Sequence, residues 1–261
     1  MKKKKSPLIS IIMNCHDGER YLKNSILSIL NQDYKNWELI FWDNKSKDKS
    51  KEIVLNFKNK RIKYFRSKNF TTLYKARNLA ISKAKGEYVS FLDTDDWWSK
   101  KKLFKQVELI KKNKSIKFIH SNFYVYGQQS KVKKLYSSKK IPDGKITQYL
   151  LNDYKLGILT VLMKRTFFKK KKFNTKYNII GDFDYFIKLS MKESFFYINE
   201  PLAYYREHKK NYSKNISVYS NEINNWLKSN SRKLQKKNFS AKKIVYYSKK
   251  LKLKKFFRLG P

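Results

Sequence analysis

Between residues 8 and 92 the chain repeats one pattern: a short apolar run, a polar turn, then a stretch with apolar residues at helical spacing. Residues 8–13 are the first run, unbroken and rich in β-branched residues, as expected of a strand covered on both faces. It breaks at 14–18, and Leu22, Ile26, Ile29 and Leu30 then mark one face of a helix. Residues 37–42 predict a second strand, followed by a turn at 43–48 and a helix carrying Ile53, Val54 and Phe57. A strand at 61–65, a helix at 72–85 with Leu73, Ala76, Ala80 and Ala84 on one face, and a strand at 87–92 continue the series. Such alternation predicts an α/β fold: a Rossmann-like, mostly parallel central sheet flanked by helices. Its crossovers are right-handed, and its ligand crevice lies at the carboxyl ends of the strands.

Farther along the alternation loosens. A helix with Leu103, Val107 and Ile110 and a strand at 116–120 are followed by a loop or hairpin over 126–145. A strand at 159–163, a helix from Asp182 to about Met191, and short strands at 195–198 and 202–205 complete the sheet. From Ser217 the chain reads as a basic helical extension with Ile244, Tyr247 and Leu251 on one stripe.

Acidic residues are scarce, 20 against 62 Lys and Arg, so their placement carries information. Asp17 follows the first strand, Asp43 the second, and Asp93, Asp95 and Asp96 the fourth. Carboxylates gathered at one sheet edge are costly unless they serve a cation or sugar hydroxyls. In an extended segment residues two apart project to one side, so Asp93 and Asp95 face one bound species while Asp96 points elsewhere or caps the next helix. Hard oxygen ligands of this kind hold Mg²⁺ or Mn²⁺ that also binds phosphate. The bland alternative is a solvated turn with an aspartate N-cap, and three aspartates followed by Trp97 and Trp98 weaken it. The two tryptophans either stack on a ligand or fill the core.

With 261 residues, 41% of them hydrophobic, the chain can fill a real core. Its formal charge of +42 would suit a nucleic acid or an anionic membrane. The lysines are spread along the whole chain beside abundant Asn, Ile, Phe and Tyr, which fits drift of AT-rich codons into surface positions. A nucleic-acid binder would also leave the strand-end aspartates unexplained, so no nucleic-acid partner is expected. Cys15 stands alone, which excludes an internal disulfide and fits a reducing compartment. The basic start resembles the opening of a signal peptide, but its apolar run stops at Asn14, and no later run reaches spanning length. Any membrane contact is expected to be peripheral.

Residues 8–18, the turn Asp43-Asn44-Lys45-Ser46-Lys47-Asp48, Ala76-Arg77-Asn78 with Gly86-Glu87-Tyr88, and the run FLDTDDWW together resemble glycosyltransferase family 2, inverting enzymes with the GT-A fold. The likeness runs over residues 6–213, as a catalytic domain, and leaves 214–261 as the extension. It implies that Asp17 and Asp43 bind the nucleoside of a nucleotide-sugar donor, that Arg77 lies near its phosphates, and that Asp93 meets the ribose or donor sugar. Asp95 would hold the metal, Mn²⁺ or Mg²⁺, bridging the diphosphate. The segment Gly181-Asp182-Phe183-Asp184-Tyr185 resembles the family's later acidic motif, with Gly181 where a first acid is common; Asp182 matches the catalytic base, and Asp184 is its rival. Without catalysis, the domain would only bind saccharide or a partner protein, and Gly181 is the one feature favouring that. Tyr205-Arg206-Glu207-His208 and the following residues to Ser213 resemble the stretch that closes the domain, where His208 would meet the metal or diphosphate. The family further implies a UDP-sugar donor and a saccharide or lipid-linked acceptor in cell-envelope polysaccharide or lipopolysaccharide synthesis. The place of work would be the cytoplasm, at the inner face of the cytoplasmic membrane, with basic residues 240–258, including Phe256 and Phe257, against anionic lipid.

Overall fold

The computed structural model describes the backbone of residues 6–258 and the side chains of residues 6–251. The basic start at residues 1–5, and the side chains of Phe256 and Phe257, lie outside the described residues. The first half of the chain runs β1 (Ile9–Cys15), α1 (Glu19–Leu30), β2 (Trp37–Asp43), α2 (Ser50–Asn56), β3 (Ile62–Arg66), α3 (Leu73–Ser82), β4 (Tyr88–Phe91), β5 (Trp97–Trp98) and α4 (Lys102–Lys112). The second half runs β6 (Phe118–Gly127), β7 (Lys133–Leu135), α5 (Thr147–Asn152), β8 (Leu162–Lys164), α6 (Thr166–Lys170), α7 (Gly181–Ser190), β9 (Phe196–Glu207), α8 (Ile216–Gln235) and α9 (Lys242–Arg258).

All seven residues of β1 are buried, because helices cover both faces of the sheet. Side chains alternate along a strand. Ile9, Ile11 and Met13 therefore join the core beneath α1 with Leu22, Ile26 and Ile29, while Ile12 joins the opposite core with Ala76 and Ala80 of α3.

The strands form one sheet in the order β3-β2-β1-β4-β8-β6-β9-β5, with β7 paired to β6. Strands β1 to β4 are mutually parallel where they pair; β8 then runs antiparallel to β4 and β6. The chain steps outward from β1 to β3 and returns on the other side of β1 as β4. That reversal opens a crevice between the ends of β1 and β4, where ligands of open α/β sheets collect. The turns at 14–18 and 93–96 flank it.

Two expected elements differ. The short strands expected at 195–198 and 202–205 are one strand, β9, whose pairing with β6 shifts register at Ser121/Asn122 and Asn122/Tyr124. Pro201 lies opposite Asn122 at that irregularity, where its missing N–H is tolerated. Residues 159 and 160, expected to open a strand, lie instead in a 3-10 turn, Ile158–Thr160. Thr160 Oγ1 donates to Gly157 O at 2.7 Å, a local bond that competes with the ladder.

Residue 213 marks no boundary in the packing. Ile223, Trp226, Leu234 and Ile244 share one buried cluster with Phe183 and Phe186 of α7, and Trp226 is wholly buried. Asn215 caps α8 by accepting from Val218 N. Under the 93–98 turn lies Lys102, fully buried, its ammonium donating to Ser90 Oγ and Gln106 Oε1 at 2.9 and 3.0 Å. Burial holds it well below the usual lysine range.

Candidate active site

A cleft of about 580 Å³ opens at the carboxyl edge of the sheet, lined by residues that follow β1, β2 and β4, by α3, by the start of α7 and by the segment after β9. Asp93, Asp95, Arg77 and Asp182 all line it.

On one wall, Asp95 Oδ2 lies 3.0 Å from His208 Nε2 and 3.4 Å from Asn211 Nδ2. Both side chains are partly shielded, Asp95 at 26% and His208 at 15% exposure. Burial and the neighbouring Asp93 charge raise the Asp95 carboxyl above its ordinary range. Asn211 fixes the segment that delivers His208: its Nδ2 donates to Arg206 O and its Oδ1 accepts from His208 N. Arg206 Nε in turn donates to Asp95 O at 2.8 Å. Asp96 caps no helix. It is buried, and its Oδ1 accepts from Arg206 N at 2.8 Å, which ties the acidic turn to β9.

Asp93 faces the cleft with its charge already matched. Arg77 Nη2 lies 2.6 and 2.8 Å from its two carboxylate oxygens. Arg77 itself is only 3% exposed, so the guanidinium acts on the cleft mainly by holding Asp93. Beside them the Asn14 amide is buried, has no hydrogen-bond partner among the described residues, and opens on the cleft. A buried amide left unpaired is costly, and a polar ligand would relieve it. Sequence reading passed over Asn14.

Asp182 stands in the first turn of α7, where the helix dipole favours an anion. Its Oδ1 accepts from the Tyr74 hydroxyl at 2.8 Å. Burial is the largest influence on its acidity and raises it above the usual carboxylate range, although the Arg77 charge and the Tyr74 bond pull the other way. Asp184 points into the protein instead. It accepts from Trp226 Nε1 at 2.9 Å and pairs with Lys188, so of the two rivals Asp182 alone lines the cleft. The turn before α7 is held from the C-terminal extension: Glu222 accepts from the N–H groups of Asn178, Ile179 and Ile180 at 2.6, 2.9 and 3.1 Å.

Asp17 and Asp43 do not line the cleft. Asp43 is fully buried, accepting from Ser46 N at 2.7 Å and the Tyr64 hydroxyl at 2.5 Å, with Arg66 Nε 3.8 Å away. Asp17 adopts a φ of 51°, which aspartate tolerates better than most residues, and its carboxylate accepts from Lys47 N at 2.7 Å. Both brace the turns that present His16 and Asn44, whose side chains do line the cleft. The tryptophan pair is likewise engaged. Trp98 is buried and donates to Leu159 O, while Trp97 stacks on Tyr204 at 4.9 Å and carries the Arg206 guanidinium 4.5 Å from its centroid. Trp98 is closed to a sugar, while Trp97 stays partly exposed beside Arg206.

Residues 10–190 match the sequence profile described as Glycosyl transferase family 2. The chain belongs to that family. It is a glycosyltransferase, as its family relatives are. It is 34% identical over 247 residues to an uncharacterized glycosyltransferase of Haemophilus influenzae, covering 92% of this chain and 93% of that one. It is 35% identical over 184 residues to the Escherichia coli UDP-Glc:alpha-D-GlcNAc-diphosphoundecaprenol beta-1,3-glucosyltransferase WfgD, covering 70% of this chain and 69% of WfgD. Among solved structures, S. aureus TarS 1–349 in complex with UDP-GlcNAc superposes with a TM-score of 0.67 at 17% identity, covering 84% of this chain and 66% of that one. The mannosyltransferase PcManGT from Pyrobaculum calidifontis, in complex with GDP-Man and Mn²⁺, gives 0.61 at 15% identity, covering 83% and 61%. The mixed sheet with flanking helices is thus the GT-A architecture of the family.

Among the described residues no three His, Cys, Asp or Glu side chains cluster as a metal cage. Asp95 and His208 do form a pair, one hard oxygen and one imidazole nitrogen converging within 3.0 Å. Such a donor set fits a divalent cation that takes its remaining ligands from phosphate and water rather than from protein alone.

Proposed function

We propose that this family 2 enzyme transfers a sugar, with inversion, from a nucleoside diphosphate donor, first among them UDP-sugars, to a hydroxyl of a lipid-linked saccharide. The observation that carries this reading is that Asp95, whose carboxylate pairs with His208, and Asp182 line a single cleft at the sheet's carboxyl edge. Asp95 and His208 would hold Mn²⁺ or Mg²⁺; that cation, when bound, offsets the charge that grows on the departing diphosphate.

Every other task falls to the chain itself. Asp182, ionised, accepts the proton of the acceptor hydroxyl as its oxygen attacks the anomeric carbon. Arg77 holds Asp93 in a fixed orientation, so the donor sugar meets an aimed carboxylate. Asn14 offers its unpaired amide to the donor. Asp17 and Asp43 serve the nucleoside through the His16 and Asn44 turns that they brace, rather than by the direct contact expected from sequence.

The lipid-linked acceptor rests on the name of WfgD, whose acceptor is a GlcNAc diphosphoundecaprenol. The surface of α9 supports the same choice. Val245, Tyr246 and Tyr247 stand exposed beside exposed Lys242, Lys243, Lys249 and Lys250, a pairing suited to peripheral docking on anionic lipid. No helix among the described residues is long and apolar enough to cross a membrane. On this reading the reaction runs at the cytoplasmic face of the membrane, within cell-envelope polysaccharide synthesis.

Equilibrium binding of UDP-, GDP- and dTDP-sugars with Mn²⁺, Mg²⁺ or EDTA tests the donor and the metal together. One nucleotide class is expected to bind with metal and to be lost in EDTA. Asp95→Ala, a substitution in a polar turn, is expected to fold and to bind donor in Mn²⁺ no better than wild type does in EDTA. Folded wild-type protein that ignores all donors would overturn the reading. Sedimentation with phosphatidylglycerol vesicles at low salt, lost at high salt, is the expected result for α9; no binding at low salt removes the membrane from the proposal.

A further inference from the structure

Gly181 stands where the family commonly carries an acid, and the structure shows what fills the space. A Cβ built on Gly181 would lie 2.4, 2.5 and 2.6 Å from Cδ2, Cε2 and Cγ of Tyr74, far inside contact distance. Tyr74 is 1% exposed, its ring tilted against Phe173 at 5.4 Å with the Arg77 guanidinium 5.2 Å from its centroid. Packing on both sides denies the ring an easy retreat. Its hydroxyl lies 2.8 Å from Asp182 Oδ1 and 2.9 Å from Ile179 O, within reach of the carboxylate and of the turn that carries it.

We propose that Tyr74 is a positioning residue for Asp182: its ring occupies the volume that a side chain at 181 would take, and its hydroxyl fixes the carboxylate for proton transfer. This rests on the reading of Asp182 as the base. With Oδ1 engaged by the phenol, Oδ2 remains to accept the proton of the acceptor hydroxyl while the new glycosidic bond forms and the bond to diphosphate breaks. Tyr74 keeps its own proton throughout, because burial and the Asp182 charge raise the phenol well above its ordinary range. Tyr74 and Gly181 are therefore a matched pair, and the glycine is no sign of lost catalysis.

The ionisable groups that act on Asp182 are Arg77 and Tyr74 of α3, Tyr219 of α8, and Tyr136 and Tyr154. Arg77 favours the ionised base, and the phenols are neutral at physiological pH. A hydrogen bond donated to the charged form favours that form. Removing the Tyr74 hydroxyl leaves burial less opposed, so Asp182 holds its proton to a higher pH.

The test is Tyr74→Phe in the metal-loaded enzyme, with kcat and donor KM followed across pH and thermal unfolding as a control. The ring remains, so the fold is expected to hold. At neutral pH kcat is expected to fall roughly tenfold, the lower end of what a hydrogen bond to a charged group is worth. Donor KM is expected to stay, and the acid limb of the kcat profile to move to higher pH. A merely structural tyrosine would leave that limb in place. Asp182→Asn separates the two readings. If it is inactive and Tyr74→Phe matches wild type in kcat and acid limb, the proposal fails alone; if Asp182→Asn transfers at the wild-type rate, the base reading falls and takes the proposal with it. The packing half has its own arm. Gly181→Glu is expected to lose activity and thermal stability, and Tyr74→Ala with Gly181→Glu to regain part of both; a double variant no better than Gly181→Glu would overturn the matched pair.

Discussion

Replacing Asp182 with asparagine is expected to lower the transfer rate by roughly 10² to 10⁴, the usual contribution of a general base, while donor binding stays at the wild-type level. The separation follows from geometry. The residues proposed to hold the donor's phosphates and metal lie after β4 and β9, and Asp182 lies at the start of α7, across the cleft. Asparagine is nearly isosteric and still accepts from the Tyr74 hydroxyl, so the turn survives and only the proton acceptor is lost. In the wild-type enzyme burial lifts this carboxyl above the ordinary range. The base is then ionised and active on the alkaline side of its raised value, and activity drains away as pH falls through it, earlier than for a solvated aspartate. Asp184→Asn makes the contrast: it removes the ion pair with Lys188 and lowers stability, but the acid limb should not move. Equal loss of transfer in both variants would show that the reading of α7 is wrong.

Trp226→Ala carries the largest expected effect on stability, roughly 3–5 kcal/mol, the range for deleting a large buried aromatic. The side chain is wholly buried, packs edge-on to Phe183 with centroids 4.9 Å apart, and gives its indole N–H to Asp184. Truncation leaves a cavity and a buried carboxylate short of one donor. Against a typical total of about 5–15 kcal/mol, that is a large share. Trp226→Phe keeps much of the packing and loses only the N–H, so it should cost less. Urea denaturation read by circular dichroism distinguishes the two. If Trp226→Ala unfolds within ~1 kcal/mol of wild type, α8 is an appendage and the division of the chain at residue 213 regains its physical meaning.

The N-terminal half of the fold was legible because its signals are local. Strands covered on both faces read as unbroken apolar runs, and the turns that end them carry aspartates, so the sheet edge and the acidic turn after β4 could be placed from sequence. Asp95 and His208 were each singled out through the family motifs they lie in, but their direct contact appears only in the structure. What escaped depends on contacts between distant segments. Asp43 looked like a ligand, yet Tyr64 and Arg66 fold over it from the next strand and bury it. Arg77 looked free for phosphate, yet it is spent on Asp93, sixteen residues on. Tyr74 had one trace in the sequence: it lies three residues before Arg77, on the same helical face, and so points to the same cleft. Glu222 and Trp226 had none, because nothing in a lysine-rich tail announces which of its residues turn inward.

The reach of Glu222 has a consequence for how the molecule comes into being. Three backbone N–H groups at 178–180 wait for a carboxylate more than forty residues downstream. A nascent chain released as far as Ser213 already holds every side chain proposed to touch donor, metal or acceptor, but the turn that aims its base has no anchor. With Asp182 as the proposed base, transfer is expected to begin only once α8 has emerged and docked, leaving the enzyme silent for the last part of its own synthesis.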